Sequence, residues 1–213
     1  MTARLLLNDC QRQEQISKFW ALSPKFKKDK VPHAIFFMGL PASGKTHVKT
    51  KVLPKKLSLN TKNYVDIDSD KIMETIDGYS LEHSGLFHQE GVIIANKILD
   101  SVISNYNFNF IYDATGKDWT SYRKNINKAK KNGFKTTLIY VKVDLQTSIN
   151  RATKRDRKVP ENAIRNIATR LNNLATNKKS PKYIKEIREP KERTVFSVLS
   201  KLDTLDESFI IEN

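Results

Sequence analysis

The sequence predicts an α/β protein with a doubly wound, mostly parallel sheet flanked by helices. Short apolar runs of strand type alternate along the chain with longer stretches of helical periodicity. The first apolar run, HAIFFM (33–38), leads directly into a glycine-rich loop, as in a strand–loop–helix unit. The 213 residues are enough for one sheet covered on both faces, and no internal repeat or long linker divides them.

The predicted elements follow one another in a regular order. An amphipathic helix over 8–22 and a basic connector form an N-terminal part, 1–30. In the predicted core, 31–176, we expect strands at HAIFFM (33–38), NYVDIDSD (63–70), FNFIYD (108–113) and KTTLIYVKV (135–143). We expect helices from the glycine loop to about Leu53, from Ser69 to about Gly78, over 86–104, over 118–132, from Asp144 into a basic stretch, and from Pro160 to about Thr176.

Capping residues support several of these helix ends. Pro54 is expected to stop the helix after the glycine loop, and Gly133 is a typical residue after a helix C-terminus. Asp144 can cap one helix, and Pro160 can open the next. The C-terminal extension, 177–213, contains a candidate edge strand, TVFSVL (194–199), and an acidic, apolar tail that either packs on the core or masks the basic face.

Composition restricts the compartment and the partners. A single cysteine, Cys10, excludes an internal disulfide framework and suits a reducing environment. No apolar run approaches the length of a membrane span or a signal peptide, so we expect a cytoplasmic protein with no membrane partner. The formal net charge of +15 predicts attraction to polyanions, nucleic acid first. A lysine-rich surface that only keeps the protein soluble is the alternative.

The loop GLPASGKT (39–46) fills every fixed position of the phosphate-binding pattern GxxxxGK[ST]. Glycines let backbone N–H groups approach a phosphate, and the helix that begins there adds the positive end of its dipole. Lys45 is predicted to reach the outer phosphates and Thr46 to offer its hydroxyl to Mg²⁺, so ATP and Mg²⁺ are the expected cofactors. The candidate nucleotide-binding residues are Gly39, Leu40, Pro41, Ala42, Ser43, Gly44, Lys45 and Thr46.

Carboxylates end two of the predicted strands, where ligands bind in open parallel sheets. Asp66, Asp68 and Asp70 alternate along an extended segment, and three unpaired acids on one side require a cation nearby. Helix capping by Asp68, with the other two solvated, is the alternative. Asp113 is a candidate Mg²⁺ ligand or a turn-initiating residue, and Thr115 can assist either role.

The segment NRATKRDRKVP (150–160) has the composition of a lid. Arg151 and Arg155 lie on one helical face, and Arg157 follows. Arginines that close over a transferred phosphoryl group stabilise its charge and exclude water. An ordinary solvated basic helix is the alternative.

Taken in this order, the features resemble the zeta toxin and polynucleotide 5′-kinase group of phosphate-loop kinases, over about residues 32–176. GLPASGKT is similar to the group's GxPxSGK[ST] loop, and VDIDSDKI resembles the segment that carries the catalytic aspartate, which falls on Asp70. FIYDATGK is similar both to the zeta EGTGR strand end and to the polynucleotide kinase SDTN. INRATKRDRKVPENAI resembles the lid of either family.

The resemblance implies roles for particular residues. Asp70 would accept the proton of the attacking hydroxyl, while Lys45 and the lid arginines would steady the γ-phosphoryl group. The chain departs from the pattern at Met73, where an arginine often helps to hold the substrate, and at Asp113, where zeta toxins carry glutamate. The substrate-binding candidates are Asp68, Glu90 and Thr115, and for Glu90 an exposed acid at a helix start is the alternative.

The expected function is an ATP-dependent kinase that phosphorylates an acceptor hydroxyl. The charge favours a hydroxyl on nucleic acid, at a 5′ end or on a modified base. The alternative from the resemblance is a zeta-type UDP-N-acetylglucosamine kinase, for which an antitoxin that obstructs the loop would be a partner. A nucleic-acid-binding NTPase without phosphoryl transfer is the third possibility.

Overall fold

The central feature of the fold is a five-stranded parallel sheet with the strand order β2–β3–β1–β4–β5. The computed structural model describes residues 6–22, 26, 29–56, 59–157, 159–176 and 207–212. The strands are β1 (His33–Met38), β2 (Val65–Asp68), β3 (Phe110–Asp113), β4 (Lys135–Lys142) and β5 (Glu207–Glu212). The predicted doubly wound α/β fold is confirmed.

Helices connect the parallel strands. They are α1 (Asp9–Leu22), α2 (Lys45–His47), α3 (Leu53–Lys56), α4 (Ser69–Glu74), α5 (Ser84–Ser101), α6 (Trp119–Lys131), α7 (Leu145–Thr153) and α8 (Glu161–Thr176). The Asp144 side chain accepts a hydrogen bond from the Thr147 N–H at 2.8 Å, which confirms the predicted cap of α7. None of the described helices has the length and hydropathy needed to cross a bilayer.

The strand β1 lies in the middle of the sheet and is apolar on both faces. Phe36 contributes to one buried cluster, with Phe110 and Leu138, whereas Ile35 and Phe37 contribute to the cluster on the opposite face. A strand covered on both sides has no solvent-facing positions, which explains why HAIFFM reads as a continuous apolar run. Because all strands are parallel, their carboxyl ends meet at one edge, which we call the site edge.

The helix after the glycine loop is longer than the sequence predicts. The prediction that it ends near Leu53 is wrong, because a π-helical turn, Val48–Val52, joins α2 to α3 and carries the helix to Lys56. Within this turn the Leu53 N–H bonds to the Val48 carbonyl, five residues back. Pro54 has no N–H to lose, and the widened turn accommodates its ring.

The fifth strand comes from a part of the tail that the sequence analysis left open. The candidate edge strand at 194–199 lies outside the described residues. The strand β5 instead comes from the acidic tail and pairs in parallel with β4, from Thr137 opposite Glu207 to Lys142 opposite Glu212. The C-terminal extension therefore completes the sheet of the core.

Candidate functional site

The glycine loop closes tightly against the neighbouring strand β4. Gly39 has a φ of +145° and Gly44 a φ of +96°, conformations that other residues adopt only with strain. A Cβ atom at Gly39 would collide with the carbonyl oxygen of Val141 in β4. Gly44 directly precedes α2, so the loop ends at the start of the helix, as phosphate binding requires.

Lys45 folds back over this loop. Its Nζ donates to the carbonyl oxygens of Gly39 at 3.4 Å and Leu40 at 3.2 Å, so the ammonium lies over the loop. Burial lowers the pKa of Lys45, and Asp113 and Asp68 act against that shift. Thr46 is exposed at the beginning of α2, where its hydroxyl is accessible.

The helix α7 contacts the middle of the glycine loop at Pro41 and Ala42. Ser148 Oγ donates to the Pro41 carbonyl oxygen at 2.6 Å. Ala42 packs in a small apolar cluster with Ile149, Ala152 and Ile164, which belong to α7 and α8. The loop and the helix that leads into the lid therefore share one packed unit.

A buried lysine, Lys49, lies among the acids at the strand ends. Its Nζ is 2.8 Å from Asp66 Oδ1, 3.3 Å from Asp113 Oδ2 and 3.9 Å from Asp68 Oδ2. The residue is only 3% exposed. Asp68 and Asp113 are paired positions on adjacent strands, which explains why one ammonium reaches both.

These neighbours shift the protonation of the acids in different directions. Burial disfavours the charged forms of both Lys49 and Asp66. Their mutual contact outweighs burial, so that the pKa of Lys49 is raised and the pKa of Asp66 is lowered from the ordinary values. Burial and the nearby Asp113 raise the pKa of Asp68 to about 6. Asp66 is also paired through its second oxygen, which lies 2.7 Å from Lys71 Nζ.

Asp70 lies beyond the end of β2, in the first turn of α4. Asp68 caps this helix, because its Oδ1 accepts from the Asp70 N–H at 3.0 Å. The predicted base and lid meet here, since Arg157 Nη2 donates to Asp70 Oδ2. Burial raises the pKa of Asp70, but Arg157 lowers it more strongly, below its ordinary value. Asp68 therefore caps the helix, as in the alternative interpretation of the sequence, and its role in contacting the substrate stays a prediction.

The other two lid arginines do not reach an acid of the site. Arg151 is exposed in the last turn of α7, and Arg155 is exposed in the turn that follows. The charge of Arg155 contributes to lowering the pKa of Lys45, so the two cations are neighbours. Their predicted role in steadying a phosphoryl group stays a prediction.

Thr115 belongs to the backbone frame of the site. Its carbonyl oxygen accepts from the Gly39 N–H at 3.2 Å, and its Oγ1 accepts from the Lys117 N–H at 3.4 Å. These bonds tie the segment after β3 to the glycine loop. A role for Thr115 in contacting the substrate stays a prediction.

Glu90 is not an exposed acid, and that alternative is wrong. Its side chain is 0% exposed, and both of its oxygens accept from Arg12 of α1, each at 2.8 Å. The burial arises because α5 packs between α1 and α4. Its predicted contact with substrate would require this pair to open.

At the next residue, Gly91, α5 packs closely against α4. A Cβ atom there would lie 2.7 Å from the carbonyl oxygen of Ser69 and 2.9 Å from the Cβ of Met73. Ser69 directly precedes Asp70, so the position of the predicted base depends on this close approach.

The residues suit Mg²⁺ only in combination with a ligand that brings further oxygens. Asp113 and Thr46 are oxygen donors of the kind that Mg²⁺ prefers. In the described ranges, no three His, Cys, Asp or Glu side chains are grouped so as to hold a metal ion. Lys49 occupies the space between the strand-end acids instead. Lys49 was not among the residues predicted from the sequence, although its spacing of four from Lys45 places both lysines on one helical face.

Comparisons with known proteins agree with this geometry. A family model described as "Zeta toxin" matches residues 20–199. No curated protein sequence matches the chain. Solved structures do match: one of the PezAT chromosomal toxin–antitoxin system of Streptococcus pneumoniae has a TM-score of 0.62 and 20% identity, over 85% of this chain and 74% of that one.

Structures of the AvrRxo1-ORF1:AvrRxo1-ORF2 complex are also similar. One with sulphate ions has a TM-score of 0.57 and 15% identity, and one with ATP has a TM-score of 0.57 and 16% identity. Each match covers 84% of this chain and 56% of the other. At these identities the likeness shows a shared fold.

Proposed function

The chain belongs to the zeta toxin family, and from that premise we propose that it is a kinase that transfers the γ-phosphate of ATP to an acceptor hydroxyl. The observation that carries the proposal is the meeting of Asp70 and Arg157 at the site edge, close enough to Lys45 for Asp70 to act on its pKa. A candidate base, a lid arginine and the loop lysine are thereby electrostatic neighbours. Phosphoryl transfer requires such positioning and charge stabilisation more than covalent chemistry.

The loop residues would hold the nucleotide. Backbone N–H groups of 39–46 and the ammonium of Lys45 would contact the phosphates, and ATP would displace the bonds that Lys45 makes to the loop carbonyls. Thr46 and Asp113 would hold Mg²⁺, which supplies positive charge to the β- and γ-phosphate oxygens. The structure with ATP among the relatives of similar fold supports this choice of nucleotide.

Asp70 would align the acceptor. The acceptor oxygen forms a bond to the γ-phosphorus, the bond from that phosphorus to the β,γ-bridging oxygen breaks, and ADP leaves. The hydroxyl proton passes to Asp70 and then to solvent. Because Arg157 lowers the pKa of Asp70, this carboxylate is a weak base, and orienting the hydroxyl is its main contribution.

For the acceptor, UDP-N-acetylglucosamine is the first candidate, since the match to the zeta toxin model spans the lid and the whole described core. The placement of the lysines favours a small acceptor as well. The helix α6 begins after the carboxyl end of β3 and ends just before β4 begins, so Lys128, Lys130 and Lys131 lie at the edge opposite the site. These three positive charges are therefore remote from the predicted chemistry.

Nucleic acid remains the second candidate because of the net charge of +15 and the basic lid segment. A transfer assay with γ-labelled ATP and Mg²⁺ separates the two. It offers UDP-N-acetylglucosamine, 5′-hydroxyl DNA and 5′-hydroxyl RNA side by side, with Lys45→Ala as the inactive control. Label on the sugar nucleotide supports the first candidate, and label on DNA or RNA supports the second.

A third outcome would contradict kinase activity altogether. If ATP is hydrolysed faster in the presence of nucleic acid and no acceptor is labelled, the chain is an NTPase instead. A protein partner that covers the loop is also part of the proposal, because one relative of similar fold is a toxin–antitoxin system. Such a partner would compete with ATP in a binding assay.

A further inference from the structure

The charge of the acids at the site edge is partly compensated by a residue of the chain, Lys49. The ammonium of Lys49 lies within 4 Å of three carboxylates, at 2.8 Å from Asp66, 3.9 Å from Asp68 and 3.3 Å from Asp113. At 3% exposure, Lys49 has almost no contact with solvent. A buried charge without partners would be strongly unfavourable, so the lysine and the acids depend on one another.

Lys49 occupies the space between carboxylates whose oxygens could otherwise approach a divalent cation. Clustered carboxylate oxygens on adjacent strand ends are typical ligands of hard cations. The same Asp113 Oδ2 that is a candidate ligand for Mg²⁺ is 3.3 Å from Lys49 Nζ. An ammonium and a divalent cation repel one another strongly at such distances, so both cannot occupy the group of acids.

We propose that Lys49 is a built-in counter-ion that keeps divalent cations off the strand-end acids until a nucleotide brings its own phosphate oxygens. Thr46 and Asp113 would then hold Mg²⁺ together with the phosphate oxygens. Lys45 and Lys49 are four residues apart and have different partners. Lys45 contacts the loop carbonyl oxygens, and Lys49 contacts the acids at the strand ends.

The inference rests on the proposed function only for the use of Mg²⁺, and its test needs no phosphoryl transfer. We would titrate the full chain with Mn²⁺ in the absence of nucleotide and measure free Mn²⁺ by electron paramagnetic resonance. The variants are Lys49→Met and, as a matched control, Lys51→Met, which replaces an exposed lysine of the same π-helical turn.

Wild type and Lys51→Met should bind Mn²⁺ weakly and equally. Lys49→Met should bind one ion more tightly by about tenfold or more, because the acids lose their internal cation. Equal affinity in all three proteins would overturn the proposal. So would tight binding by the wild type, since Lys49 would then fail to exclude the ion.

Repulsion among the acids is expected to destabilise the Lys49→Met chain, so a second variant is included. Lys49→Met combined with Asp66→Asn restores the charge balance and leaves Asp68 and Asp113 as ligands. It should bind Mn²⁺ more tightly than Asp66→Asn alone, and Mn²⁺ should raise its melting temperature. If the two Asn variants bind equally, Lys49 does not control cation access. Neither Mn²⁺ affinity nor melting temperature depends on phosphoryl transfer, so both measurements test this proposal even if the wild type is inactive as a kinase.

Discussion

Arg157 Nη2 donates a hydrogen bond to Asp70 Oδ2, which joins the segment after α7 to the carboxylate at the start of α4. These residues are 87 positions apart in the chain. The contact lowers the pKa of the predicted base and holds Arg157 of the predicted lid against it. A substrate that approaches Asp70 must therefore exchange places with, or share, the guanidinium.

Asp70→Asn should reduce phosphoryl transfer by about 10²–10⁴-fold, because the amide cannot take the hydroxyl proton. Its affinity for ATP should change little, since Asp70 is outside the loop. Single-turnover transfer and equilibrium ATP binding measure the two quantities. If Asp68→Asn shows this pattern and Asp70→Asn does not, the base has been assigned to the wrong aspartate.

Arg157→Met should also slow transfer, and its effect should depend on Asp70. Residues in direct contact are coupled, so the double variant with Asp70→Asn should lose less activity than the product of the single losses. Full additivity would contradict a shared role. The measurement is kcat/KM in the four-member cycle.

Lys45→Ala should abolish transfer while the protein remains folded. Removing one charge that stabilises the transferring group typically costs about 10²–10³-fold in rate. Lys55→Ala, which changes an exposed lysine in α3, should retain activity. Turnover by Lys45→Ala at the level of Lys55→Ala would refute the assignment of the loop.

Gly91→Ala should displace the start of α4 and lower kcat more than ATP affinity. The new Cβ would be 2.7 Å from the Ser69 carbonyl oxygen, and overpacking of this kind costs about 1–3 kcal/mol of stability. Gly85→Ala is a matched control in the same helix, because a Cβ there has no neighbour within 4 Å. That variant should be at least as stable as the wild type. If both variants are equally active, the close approach at Gly91 does not position Asp70.

Arg12→Met should lower the melting temperature, and the loss should shrink as the pH falls. Hydrogen bonds from Arg12 hold the pKa of Glu90 below its ordinary value, so the wild-type pair stabilises the fold above that value and loses its effect as Glu90 protonates. Without Arg12, burial raises the pKa of Glu90, and the variant gains stability on acidification. Arg12→Met with Glu90→Gln should recover part of the loss. The check is thermal unfolding from pH 7 to pH 4.

The sequence was a good guide where local chemistry determines the structure. The loop, the apolar strand before it and the Asp144 cap depend on residues close in the chain, and they lie where expected. The strand from the acidic tail was missed, since pairing with β4 is a long-range contact that composition does not encode.

Burial of charged residues was the second kind of information that the sequence did not provide. Lys49 and Glu90 look like surface residues because such side chains are rarely buried without partners. Their partners, Asp113 and Arg12, are distant in sequence and become visible only in the fold. The helical spacing from Lys45 was the one available signal for Lys49.

The pairing of β5 with β4 has a consequence for synthesis on the ribosome. Every described residue of the site precedes residue 177, so the loop, the acids and the lid are all made before β5. Until β5 arrives, the backbone of Thr137–Lys142 presents a bare sheet edge next to β1. The nascent chain is thus most open to strand pairing with a neighbouring copy when all residues of the predicted site have been made, and pairing with β5 ends that interval.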